Sequence, residues 1–253
     1  MLARLLVAVA AVAAVVAVDA QAPDRAAGEP DSAPVAIVGD SIIAGNLGYI
    51  LPVLDARGVP ARAVDALSSR KTSIAWFVGR RMVSSGIDAV RSLRARGVEP
   101  ELWVIELGTN DTYDITMCRC PDPVAFAGQR IDALRAELGA DARVLWVNVR
   151  TSSPGALAYN EALARRVGPH FVVADWKVYS VGQAGWFVDA VHPTARGARE
   201  LAGFLASAIL AMPPPPAPLP DRCTHDADAP PPTSVVLTGV VAAATTARRC
   251  QFG

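Results

Sequence analysis

Short β-branched runs alternate with longer segments whose apolar residues recur at helical spacing through the middle of the chain. The runs at 35–38, 61–64, 102–107, 144–149 and 171–174 predict five strands. The segments 43–56, 85–96, 123–138, 157–167 and 194–211 predict helices. In 123–138, for example, Val124, Phe126, Ile131, Leu134 and Leu138 fall on one helix face. Strands alternating with helices of this length imply βαβ units, hence an α/β domain whose mostly parallel sheet is covered on both faces. No internal repeat is visible.

Both ends of the chain depart from this pattern. Arg4 precedes an unbroken apolar stretch over 5–18, and Val18-Asp19-Ala20 follows. The stretch is shorter than the about 20 residues that span a bilayer, and small residues follow it, so 1–20 predicts a signal peptide cleaved after Ala20. An uncleaved N-terminal membrane anchor is the alternative. Residues 21–33, rich in Ala, Pro, Asp and Gly, read as a linker to a domain over 34–211. "MPPPPAPLP" at 212–220 cannot continue a helix, so 212–253 is expected to be a proline-rich tail. Its apolar run "SVVLTGVVAAA" is too short to cross a bilayer, and no stable membrane insertion is expected once the leader is removed. The predicted location is secreted or cell-envelope.

Composition narrows the partners. The 52% hydrophobic content supplies a full core, and 24 basic residues cancel 24 acidic ones, so nothing in the overall charge draws nucleic acid or an anionic membrane. In an oxidising compartment Cys118, Cys120, Cys223 and Cys250 read as disulfide partners in one of three pairings, with a bridge inside Cys118-Arg119-Cys120 expected to be strained. Cys118-x-Cys120 with Cys223-Thr224-His225 also offers soft zinc ligands. That spacing is tighter than usual in structural zinc sites, and neither metal nor cofactor is expected.

In an open α/β sheet ligands bind beyond the carboxyl ends of the strands. Gly39-Asp40-Ser41 follows the first predicted strand, Gly108-Thr109-Asn110-Asp111 the third, and "DAVHP", with Asp189 and His192, the fifth after a loop. Acyl transfer from an ester requires a hydroxyl nucleophile, a base, an acid to orient that base, and donors for the oxyanion. Ser41, His192 and Asp189 supply the first three; Asn110 and the Ser41 N–H supply the fourth. The three-residue spacing lets Asp189 curl back onto His192 Nδ1, so that Nε2 faces the serine. Asp40 is read as holding its turn through backbone hydrogen bonds, with Gly108 and Asp111 supporting the second turn. His170 and His225 read as structural or surface residues.

Together these three segments resemble the first, third and fifth sequence blocks of the SGNH (GDSL-type) hydrolases. The resemblance covers roughly residues 34–211 and implies a three-layer α/β/α, flavodoxin-like sandwich with Ser41 as nucleophile, His192 as base, Asp189 as orienting acid and Asn110 as oxyanion donor. The second block departs from the family. Where a glycine usually donates its N–H, this chain reads "DALSSRKTS", and Ser69 is the expected substitute because any residue but proline carries that donor. "VIELGTND" and "VVADWKVYSVGQAGWFVDAVHPTARGARELA" are similar to the extracytoplasmic SGNH domains of enzymes that O-acetylate cell-wall glycans. That likeness implies a short acyl ester on a saccharide, either hydrolysed or transferred. A lipid-directed esterase or thioesterase, with Trp76, Phe77, Trp186 and Phe187 as groove walls, and a catalytically silent glycan-binding domain are the alternatives.

Overall fold

The computed structural model describes residues 35–59 and 62–213. The segments read above as signal peptide and linker, and the chain beyond 213 with Cys223, His225 and Cys250, lie outside them. The elements run β1 (Val35–Gly39), α1 (Ser41–Ala44), α2 (Leu47–Ala56), β2 (Arg62–Ala66), β3 (Trp76–Val78), β4 (Arg81–Val83), α3 (Gly86–Ala95) and β5 (Leu102–Glu106). They continue with α4 (Thr112–Met117), α5 (Pro123–Leu138), β6 (Val144–Val147), α6 (Pro154–Ala164), β7 (Phe171–Ala174), α7 (Trp176–Tyr179) and α8 (Ala195–Leu210).

Five strands form one all-parallel sheet in the order β2-β1-β5-β6-β7, the flavodoxin-like arrangement. Alternation divides its core between two faces. Ala36, Val38, Trp103 and Ile105 pack with α3, α5 and α6, whereas Val35, Ile37, Leu102 and Val104 pack with α2 and α8. Ile131, Leu134 and Leu138 are buried as their spacing predicts, with Val124 and Phe126 packed beside them. The strand order reverses between β1 and β5, so the chain leaving each strand borders the crevice where ligands of such sheets bind.

The structure departs from or adds to expectation, and the short helices α4 and α7 were not predicted. The helix predicted over 43–56 is broken into α1 and α2, because Asn46 Nδ2 donates to the Ile42 carbonyl at 2.7 Å and ends the first turn. The helix predicted from 157 begins at Pro154, where Ser153 caps the Ala156 N–H and proline occupies the first turn. β3 and β4 form an antiparallel hairpin that periodicity did not reveal, each strand being only three residues long. Cys118 and Cys120 are bonded to each other after α4, one of the pairings left open above, with Arg119 between them at φ +50°.

Candidate active site

The exit from β1 is shaped by close packing. A Cβ on Gly39 would lie 2.4 Å from Ile43 Cγ1, so only glycine lets α1 fold back this tightly. Asp40 then caps α1, its Oδ1 accepting from the Ile42 N–H at 2.9 Å, and Ser41 opens the helix half-exposed at the crevice. On the opposite wall, the loop before α8 is fixed by Val188 N–H donating to the His192 carbonyl at 2.9 Å and Thr194 N–H donating to the Trp186 carbonyl at 2.8 Å.

These two walls meet in a hydrogen-bonded chain. Ser41 Oγ lies 3.1 Å from His192 Nε2, and His192 Nδ1 lies 2.9 Å from Asp189 Oδ2. Asp189 Oδ1 accepts from the N–H groups of Val191 and His192, each at 2.7 Å. The His192 N–H, the imidazole and the Val191 N–H together hold the Asp189 carboxyl down at about 2. A carboxylate facing Nδ1 fixes the proton there and leaves the Nε2 lone pair for the serine hydroxyl.

Beneath Ser41 lies a second carboxyl pair, which sequence reading missed in half. Asp40 is completely buried, and Glu106, the last residue of β5, is nearly so. Burial raises Asp40 to about 6 and Glu106 well above the ordinary carboxyl range, the latter further because of the Asp40 charge. The raised value favours a proton on Glu106, and Glu106 Oε2 has no hydrogen-bond partner among the described residues. The continuous apolar run of β5 gave no sign that its terminal glutamate is buried with it.

Asn110 reaches this pair. Its Nδ2 donates to Asp40 Oδ2 at 3.0 Å and to the Arg70 carbonyl at 3.1 Å, which accounts for both amide hydrogens. Gly108, before it, has φ +125° and would place a Cβ 2.4 Å from the Tyr159 ring. Asp111 is buried, its Oδ2 accepting from the Thr72 N–H and hydroxyl at 2.9 Å each, so it ties the loop after β5 to the loop after β2.

That second loop carries Ser69 at φ +67°, a conformation glycine adopts most easily. Trp76 Nε1 donates to the Ser69 carbonyl at 2.7 Å. The N–H groups of Ser41 and Ser69 have no acceptor among the described residues. Arg70 is buried next to Ser69 and bonds the Asp65 carbonyl and carboxylate at 2.6 and 2.7 Å and the Gly39 carbonyl at 3.3 Å. A charged residue in a polar loop reads as surface from sequence, so this brace was not foreseen.

Of the four aromatic candidates, Trp186 and Phe187 are buried around Trp176, Trp76 is half-buried against the second loop, and Phe77 stands exposed. Among the described residues no cluster of His, Cys, Asp or Glu has a metal-holding arrangement, and no helix is long and apolar enough to cross a membrane.

No family model matches the sequence, and no curated protein matches it. Solved structures do. The M. smegmatis aryl esterase is 19% identical with a TM-score of 0.51, covering 71% of this chain and 99% of its own. Est24, a carbohydrate acetylesterase from Sinorhizobium meliloti, is 18% identical with a TM-score of 0.51, covering 70% and 98%. The C-terminal catalytic domain of the peptidoglycan O-acetyltransferase OatA from Streptococcus pneumoniae is 16% identical with a TM-score of 0.50, covering 71% and 93%. The chain has the SGNH hydrolase fold. At these identities the likeness is one of fold, and it spans nearly the whole of each neighbour. In this SGNH fold the polar residues described above cluster around the ends of β1, β2 and β5 and the loop before α8.

Proposed function

We propose that this protein is an exported serine esterase of the SGNH type that removes or transfers short acyl groups, with O-acetylated cell-wall saccharide as its substrate class. The observation that carries this reading is the unbroken chain Ser41 Oγ–His192–Asp189, with contacts of 3.1 and 2.9 Å. It is supported by a fold shared with esterases and with an O-acetyltransferase.

Ser41 attacks the ester carbonyl while His192 Nε2 takes its proton, and Asp189 stabilises the imidazolium that forms. The free N–H groups of Ser41 and Ser69 receive the developing oxyanion, and Asn110 joins them by releasing the Arg70 carbonyl. His192 then protonates the leaving alkoxide. Water or a sugar hydroxyl, deprotonated by the same imidazole, resolves the acyl-Ser41 intermediate. Secretion rests on the leader over 1–20.

The test is hydrolysis of p-nitrophenyl acetate with labelling by a fluorophosphonate. The wild-type protein is expected to turn over and to label, and Ser41→Ala to do neither. Equal background rates in both proteins, with no label on either, would end the enzyme reading.

A further inference from the structure

A small polar cavity of about 260 Å³ opens beside the loop that holds Asp189 and His192. Arg150, Thr151 and Ser152, which follow β6, line one side, Lys177 of α7 the other, and Ala190 forms its margin toward His192. Its size, slightly under the range for drug-sized ligands, suits a small charged group.

Two cations face this space without a carboxylate to neutralise them. Arg150 lies with its guanidinium carbon 3.6 Å from the centre of the Phe187 ring and donates one N–H to the Ala190 carbonyl at 2.6 Å. Its Nε is buried with no acceptor. The carboxylate whose charge reaches Arg150 is Asp189, whose two oxygens are already taken by the Val191 and His192 N–H groups and the imidazole. Lys177 forms no ion pair among the described residues. A guanidinium partly withdrawn from water, whose Nη2 meets no acceptor among the described residues, is, opposite an ammonium, a receptor for oxygen anions. Ala190, on the cavity's margin, is two residues from the base, so the cavity adjoins the loop that carries His192.

We propose that this cavity is a subsite for an anionic group, a carboxylate or a phosphate, carried by the acylated saccharide. The proposal rests on the esterase reading for what the anion is attached to, though not for anion binding itself. Arg150 takes the planar or tetrahedral anion through its free N–H donors, and Lys177 closes the pair from α7.

The experiment compares kcat/KM on acetyl esters of glucose, glucuronic acid and a glucose phosphate, with calorimetric titration of glucuronate and of inorganic phosphate into the whole protein. The wild type is expected to prefer one of the anionic esters over acetyl glucose by about tenfold or more, the worth of one hydrogen bond between charged groups. The preferred arm identifies carboxylate or phosphate. Lys177→Gln and Arg150→Gln are each expected to reduce that preference, and the affinity for the matching free anion, about tenfold. Lys177→Gln alters a half-buried side chain of α7, away from the Ala190 loop, so it separates loss of the anion site from disturbance of that loop. If no ester is cleaved but an anion binds and Lys177→Gln weakens it, the subsite stands and the esterase reading falls. A preference near unity with no anion binding at millimolar concentration overturns the subsite.

Discussion

Asp189 and Asp40 are two carboxyls within one residue or one side chain of the same serine–imidazole contact, yet they sit in opposite surroundings. Asp189 stands about half-exposed on a loop, fed by two backbone N–H groups and the imidazole, and its carboxyl is held at about 2. Asp40 is sealed under α1, pressed against Glu106, and rises to about 6. Hydrogen-bond donors keep the first charged without burial, whereas burial without enough donors pushes the second toward sharing a proton. In a reaction that builds positive charge on His192, the charged, mobile-proton-free Asp189 is the useful partner. The Asp40–Glu106 pair is placed to hold Asn110 and the start of α1 in position.

The largest expected effect tests the exposed side of this contrast. His192→Ala should lower kcat/KM on p-nitrophenyl acetate by about 10⁴ or more, because proton transfer and charge stabilisation vanish together. Asp189→Asn keeps the size of the side chain but presents an amide to Nδ1; loss of about 10³ in kcat is expected, smaller than for a sealed triad because solvent already screens this pair. Kinetics of the two variants on one substrate would order them, and Asp189→Asn with wild-type activity would show that the buried carboxyls orient the base instead.

The buried side is sharpened by Glu106→Gln, which preserves a donor to Asp40 and removes a titrating group. Glu106 has its pKa raised by folding, so the stability it lends is fully present below the ordinary carboxyl range and is lost as pH rises through its elevated folded value. Melting curves from pH 5 to 9 should therefore fall less steeply on the alkaline side for Glu106→Gln than for the wild type. Activity should change by less than about threefold, since one neutral donor replaces another. A steeper alkaline fall would mean that Glu106 is ionised and stabilising.

Ser69 carries the smallest effects. Ser69→Gly should stabilise the protein by up to about 1 kcal/mol, by relieving the positive φ. Ser69→Ala should leave kcat within about twofold, because the donor is the backbone N–H. A large loss in Ser69→Ala would assign the work to the hydroxyl.

The sheet was legible because buried parallel strands must be continuous apolar runs: Val35–Gly39 and Leu102–Glu106 announce themselves, and so do the residues at their ends. Ser41, Asp189 and His192 were legible for the same reason, being chemistry-bearing types at strand exits. The break at Asn46 was not, since it depends on one side chain competing for the Ile42 carbonyl. Nor were Arg70 and Glu106, because a charge buried by tertiary packing looks like any surface charge along the chain. Ser69 lay between these cases. The missing glycine drew attention to the loop, and the positive φ is visible only in three dimensions.

The most direct test of the central claim is intact-mass and peptide-mass analysis after brief exposure to a panel of acyl donors. One acyl increment on the peptide holding Ser41, absent in Ser41→Ala and accumulating with short-chain donors, is the result expected. An increment on another residue, or turnover by Ser41→Ala at the wild-type rate, would contradict it.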